Sequence, residues 1–97
     1  MLLRHALGEV LRELRTEKGW TLRATAKKSC MALGYLSEIE RGHKEVSSEI
    51  LKNLTSTLGY QTHEVVVMAG YRLGGLDKAP NTASELVDEY ADLVVTE

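Results

Sequence analysis

The sequence predicts an all-α fold, five packed helices followed by a sixth, amphipathic helix at the C-terminal end. Three observations predict it. Apolar residues recur at spacings of three and four along residues 2–18, and residues 20–42 read as two short helices joined by a tight turn and closed by Gly. A break rich in Gly, Pro and Asn over 74–81 then separates the first five elements from a last apolar stripe. Ninety-seven residues at 43% hydrophobic content suit one small domain with an appended element, too small to enclose a large active site.

In the first helix Leu3, Leu7, Val10, Leu11 and Leu14 form one stripe, while Arg4, Glu9, Arg12, Glu13 and Glu17 fall elsewhere. Trp20, the single tryptophan, follows Gly19 and is expected to close the core. Thr21 is the expected N-cap of a helix over 22–29, its hydroxyl accepting from a free first-turn amide; Arg23 and Lys27 lie four apart on one face of that helix. The turn falls at 30–32, with Cys30 expected as a half-buried thiol without redox duty. A second short helix spans 33–40 and stops at Arg41 and Gly42. With about 100° per residue, turning Leu36 and Ile39 inward sends Gly34, Ser37, Glu38 and Arg41 outward, with Leu33 and Tyr35 at the edges of that face. Two short helices in this arrangement are how a small protein presents one helix to the DNA major groove.

Ser47 or Ser48 caps a fourth helix ending at Leu58 and Gly59, with Glu49 in its first turn and Ile50, Leu51, Leu54 and Leu58 as apolar positions. Thr62 is the expected cap of a fifth helix over 64–73, where packing must overcome the strand propensity of Val65, Val66 and Val67; His63 is expected on the surface. The domain is thus expected to cover 1–74, a linker 75–81, and a terminal helix 82–97. That helix sets Ala83, Leu86, Val87, Tyr90 and Val94 against an acidic face of Glu85, Asp88, Glu89 and Asp92.

The net charge of −2 is segregated. Residues 1–52 hold ten Lys/Arg against seven Asp/Glu, and residues 53–97 hold two against seven. A basic half with an acidic remainder fits DNA held at one end of the molecule. One cysteine makes no internal disulfide, and it shows no metal-ligand spacing with the three histidines, so neither a metal nor a cofactor is expected. His5, His43, His63 and Cys30 fall on separate elements, and no carboxylate pair, phosphate-binding Gly loop or nucleophile elbow appears, so an enzyme is not expected. No stretch approaches the roughly 20 apolar residues of a membrane span, and no charged leader precedes an apolar run; the expected location is cytoplasmic.

Residues 35–42 read Tyr-Leu-Ser-Glu-Ile-Glu-Arg-Gly. With Arg15 closing the first helix and the Gly-Trp-Thr step that follows, the run 15–42 resembles the helix-turn-helix of the Cro and phage-repressor (Xre) type. The stretch 33–42, with Lys44-Glu45 and Ser47-Ser48-Glu49 after it, is similar to the actinobacterial regulators of Clp protease genes. The resemblance covers residues 6–68. It implies a compact repressor-like domain, an ion pair between Arg15 and Glu40, and an activator of genes for proteolysis and stress survival.

Double-stranded DNA is then the ligand the residues ask for, with no small molecule evident. Arg23 and Lys27 are expected at phosphates, with His43 and Lys44 in the following loop. Ala32 and Leu33 offer apolar contact to a thymine methyl, Glu38 can accept from cytosine, and Arg41 can fork onto guanine or phosphate. Gly34 permits close approach, and Ser37 and Tyr35 complete the face. One such helix reads too few base pairs for secure discrimination, so a homodimer on a palindromic operator is expected, paired through Leu86, Val87, Tyr90 and Val94, the other arrangement being a helix folded back on its own domain. The alternative is an antitoxin-like module that uses the same fold to mask a partner protein and represses its own operon.

Overall fold

The computed structural model describes residues 1–75, which form five helices: α1 (Leu3–Glu17), α2 (Leu22–Lys28), α3 (Leu33–Glu40), α4 (Ser48–Leu58) and α5 (Thr62–Leu73). There is no strand among them. The expected linker and terminal helix, with Leu86, Val87, Tyr90 and Val94, lie outside the described residues. α1 is the central rod. It packs mainly on α5 and α3, while α2 packs on α3 and α4 on α5.

The core follows the predicted stripes. Ala6, Leu7, Val10, Leu11 and Leu14 of α1 meet Leu36 and Ile39 of α3, Leu51, Leu54 and Leu58 of α4, and Val65 and Ala69 of α5. Leu3, assigned to the stripe from its spacing, is instead 49% exposed. The reason is geometric. His5 of α1 already packs on Gly42, just past the end of α3, so the turn before it lies beyond the last core layer. Ile50 is partly buried at the core's edge. Trp20 packs there too, with the Lys18 and Lys28 ammonium groups 5.4 and 4.7 Å from the ring centroid.

α1 and α3 approach closely enough that a side chain is excluded between them. A Cβ on Gly8 would stand 2.5 Å from the Ile39 carbonyl oxygen and 2.6 Å from that of Glu40. Both obstacles are backbone, so neither can swing away.

Four helices end alike. The residue after the C-cap is left-handed at Gly19, Cys30 and Gly42, as is the C-cap itself at Gly59, and in each case the next residue donates its amide five residues back: Trp20 to Arg15, Met31 to Ala26, His43 to Glu38 and Tyr60 to Thr55. These bonds satisfy carbonyls that the last turn would leave unpaired. Cys30 is the exception in kind, a residue with a Cβ at φ 57° where the other three ends use glycine. Its side chain is exposed rather than half-buried as expected, because the left-handed backbone turns it away from the α2–α3 interface.

The caps at the other ends follow side-chain chemistry. Thr21 accepts from the Ala24 amide at 3.0 Å and Ser47 from the Ile50 amide at 3.2 Å. In α5 the cap is Gln61, not Thr62, and the helix begins at Thr62 rather than Glu64. Glu64 there accepts from the Gln61 amide at 2.7 Å, and Thr62 is diverted to a 2.9 Å hydrogen bond with the Thr55 hydroxyl of α4. The three valines stay helical because Val65 and Ala69, four apart, are both wholly buried while Val66 faces solvent, a spacing that one helical face supplies. Polar atoms inside are paired: Ser29 donates to the Thr25 carbonyl at 2.8 Å, and Asn53 of α4 donates to the Ser29 carbonyl at 2.8 Å.

Two stability measurements check this account. Cys30→Gly removes the left-handed strain of roughly 1–2 kcal/mol against a smaller entropic loss, and should raise the urea midpoint. Gly8→Ala should lower the unfolding free energy by about 1–3 kcal/mol although alanine is the better helix former, because the methyl group meets rigid backbone.

Candidate nucleic-acid interface

α2 and α3 present the candidate surface. α3 is amphipathic over only eight residues: Leu36 and Ile39 are 1% and 0% exposed, and the side opposite carries Gly34, Ser37, Glu38 and Arg41. Of the eleven residues expected to meet DNA, Arg23, Lys27, Ala32, Gly34, Arg41, His43 and Lys44 are exposed. Leu33, Tyr35, Ser37 and Glu38 are half-buried, and none of the eleven is buried. Leu33 and Tyr35 flank the face as expected, and each also packs against the core, which fixes the two edges of the helix. No atom lies within 4 Å of a Cβ built on Gly34, so its surroundings are open.

The orientation of α3 is fixed at its far end by a charged pair. Arg15 donates through Nε to Glu40 Oε2 at 2.7 Å and through Nη2 to Oε1 at 2.9 Å, and its Nη1 donates to the Trp20 carbonyl at 2.8 Å. The two side chains are only 12% and 7% exposed. The hydrogen bond to Glu40 outweighs desolvation and raises the Arg15 guanidinium above its usual basicity. One residue thereby ties the end of α1, the entry to α2 and the end of α3 together; the resemblance implied the pair with Glu40, and the bond to the Trp20 carbonyl adds to it.

The outward ions are arranged differently. Glu38 accepts from Arg41 Nη2 at 2.8 Å through one oxygen and lies 3.1 Å from His43 Nδ1 through the other. The i,i+3 spacing of Glu38 and Arg41 was a signal for their pairing, but none pointed to His43, which reaches Glu38 only through the left-handed step at Gly42. Arg4 is a further contributor that sequence reasoning passed over. It donates to the Gly42 carbonyl at 3.0 Å and to Glu45 at 2.9 Å, pinning the loop after α3 to α1. On α2, Arg23 and Lys27 have no carboxylate partner among the described residues. The arrangement can hold a polyanion along α2 and offer hydrogen-bonding side chains along α3; among the described residues no three His, Cys, Asp or Glu side chains converge to hold a metal. No described helix is long and apolar enough to cross a membrane.

Comparison with known proteins agrees with this geometry. A helix-turn-helix family matches residues 11–65. Transcriptional regulator ClgR of Mycobacterium tuberculosis strain H37Rv is 44% identical over 72 residues, covering 74% of this chain and 64% of the relative. HTH-type transcriptional regulator DdrOP3 of Deinococcus deserti is 38% identical over 88 residues, 91% of this chain and 64% of the relative. This chain therefore spans 64% of the length of these curated relatives. Two crystal structures of the clp gene regulator ClgR from Corynebacterium glutamicum are also similar. One superposes with a TM-score of 0.75 at 38% identity over 100% of this chain and 98% of that one. The other gives 0.70 at 50% identity over 72% and 90%.

The Arg15 bridge yields a stability test. Arg15→Ala strands a carboxylate that is nearly wholly buried and should destabilise the domain by about 3 kcal/mol in denaturant unfolding. Arg15→Lys should recover only part of this, since an ammonium cannot make the two parallel bonds.

Proposed function

Because this chain belongs to the Xre-type helix-turn-helix family, we propose that it is a sequence-specific DNA-binding transcriptional regulator. The observation that carries the reading is the split character of α3: an apolar side wholly buried beneath a solvent-facing side of small, polar and ionic groups. An eight-residue helix held this rigidly at both edges and at its end is the element a major groove accommodates.

In this reading Arg23, Lys27, His43 and Lys44 meet phosphates and set the register. Ala32, Leu33, Gly34, Tyr35, Ser37, Glu38 and Arg41 face base edges or the walls of the groove, with Glu38 accepting from cytosine amino groups. The protein acts as a homodimer on a palindromic operator, paired through the segment that contains Leu86, Val87, Tyr90 and Val94. That the similar structures are of clp gene regulators supports regulation of Clp protease genes, and we assign this chain an activating role there and in stress survival.

Selection from random duplexes tests the reading directly. It should return inverted half-sites about one helical turn apart that contain C·G pairs, and sites composed only of A·T pairs, or no enrichment at all, would count against it. Arg23→Ala and Lys27→Ala should each weaken binding evenly across sites and reduce the salt slope by about one. Gly34→Ala should separate folding from recognition. An added methyl group in an open helical position raises stability by roughly 0.5–1 kcal/mol, yet stands where the duplex must approach, so operator binding falls while the unfolding midpoint rises.

A further inference from the structure

On the recognition side, the one carboxylate facing outward from α3 is spoken for twice. Glu38 accepts from Arg41 through Oε1 at 2.8 Å and lies 3.1 Å from His43 Nδ1 through Oε2, and the His43 amide also donates to the Glu38 carbonyl at 2.9 Å. A carboxylate has about four acceptor sites, so both oxygens keep room for a further donor while the two partners fix the plane of the group. The charges decide the rest. Glu38 and Arg41 cancel; a neutral His43 leaves the trio with no net charge, and a protonated one gives it a single positive charge.

The geometry points to Glu38, Arg41 and His43 working as one reading unit that takes up a proton at His43 when it meets a duplex. This inference rests on the DNA-binding reading above and adds a positioning role for His43 together with a linkage to pH. Its physical basis is that a polyanion favours the cationic form of any imidazole brought near it, and imidazole is the side chain that ordinarily changes charge between about pH 5 and 8. The cationic ring also donates to Glu38 without depending on tautomer, so the orientation of the carboxylate and the local charge improve together.

The remaining ionisable groups around this loop do not supply the same linkage. Arg4 is permanently charged and is occupied by Glu45 and the Gly42 carbonyl. Lys44 is next in the chain and bears an ammonium group, not an imidazole. His5 is packed against Gly42 and half-buried, whereas the His43 side chain is 56% exposed and stands beside Glu38 on the outward side.

The sign follows from linkage. If the complex binds one more proton than the free protein, the extra affinity is complete where the free imidazole is already protonated and disappears as pH rises through the titration of the bound form, by at most about tenfold per pH unit. The test is fluorescence anisotropy of the full chain on its selected operator, and on a duplex with the C·G pair read by Glu38 replaced, at about pH 6, 7 and 8 and constant ionic strength. Wild type should lose about tenfold in affinity from pH 6 to 8, and its preference for C·G should narrow with it. His43→Asn, which can still donate to Glu38 but does not titrate, should bind with a flat profile. His43→Lys, charged throughout, should also be flat but at higher affinity.

Equal wild-type affinities across this range, or a wild-type slope retained in His43→Asn, would overturn the inference while leaving the regulator reading intact. Absence of sequence preference at every pH would overturn both.

Discussion

The bidentate contact between Arg15 and Glu40 is the constraint on which the presentation of α3 depends. Glu40 occupies the last position of α3 and Arg15 the last turn of α1, while the third donor of the guanidinium holds the Trp20 carbonyl just ahead of α2. Three chain segments that meet at no covalent point are thereby given one relative orientation. Apolar packing decides which faces meet, and a planar fork on a carboxylate adds a directional contact that tolerates little rotation. Removing the pair from water is expensive, and its net contribution to stability is correspondingly small; what it contributes is a defined angle.

Close approach complements that pair at the other end of the contact. Gly8 lets the backbone of α1 touch the carbonyls of Ile39 and Glu40, and Gly42 lets His5 lie against the turn that ends α3. Arg4 then takes the Gly42 carbonyl and Glu45. The length of α3 is thus pressed on α1 by Leu36 and Ile39, its end is oriented by Arg15, and the loop beyond it is tied down by Arg4. Only the outward side remains free of packing duties, which is why small and polar residues there carry no penalty in stability.

Much of this was legible in the sequence, and the exceptions have physical causes. Helix periodicity located every described helix and all but one of the named apolar positions of α1, because burial of a stripe depends only on spacing. The caps at Thr21 and Ser47 were readable because a hydroxyl before a helix has a local partner. Leu3 and Thr62 were misjudged because their environments are set by another helix, the end of α3 for Leu3 and the Thr55 hydroxyl for Thr62, and Cys30 because a non-glycine residue takes a left-handed turn. In the candidate site the pattern repeats. The outward residues of α3 follow from its 3.6-residue period, but the contact between Glu38 and His43 requires a chain reversal at Gly42 that no spacing rule reports.

The ion pairs resolve the apparent conflict between an acidic chain and a nucleic-acid ligand. Among the described residues, five of the eight carboxylates are engaged by arginine: Glu45 by Arg4, Glu40 by Arg15, Glu38 by Arg41, and Glu9 and Glu13 by Arg72. The hydrogen bond to Glu13 is the largest influence raising the basicity of Arg72. The lysines take no part in these pairs. Arginine suits a fixed, two-point contact with a carboxylate, while a lysine ammonium keeps its hydration and its mobility until a phosphate displaces them. The fold therefore spends its acids on internal geometry and leaves Lys27 and Lys44, beside the unpaired Arg23, as mobile positive charge around α2 and α3. Net charge counts all these groups equally; the long-range pull on a duplex comes from the ones that the architecture has left unmatched.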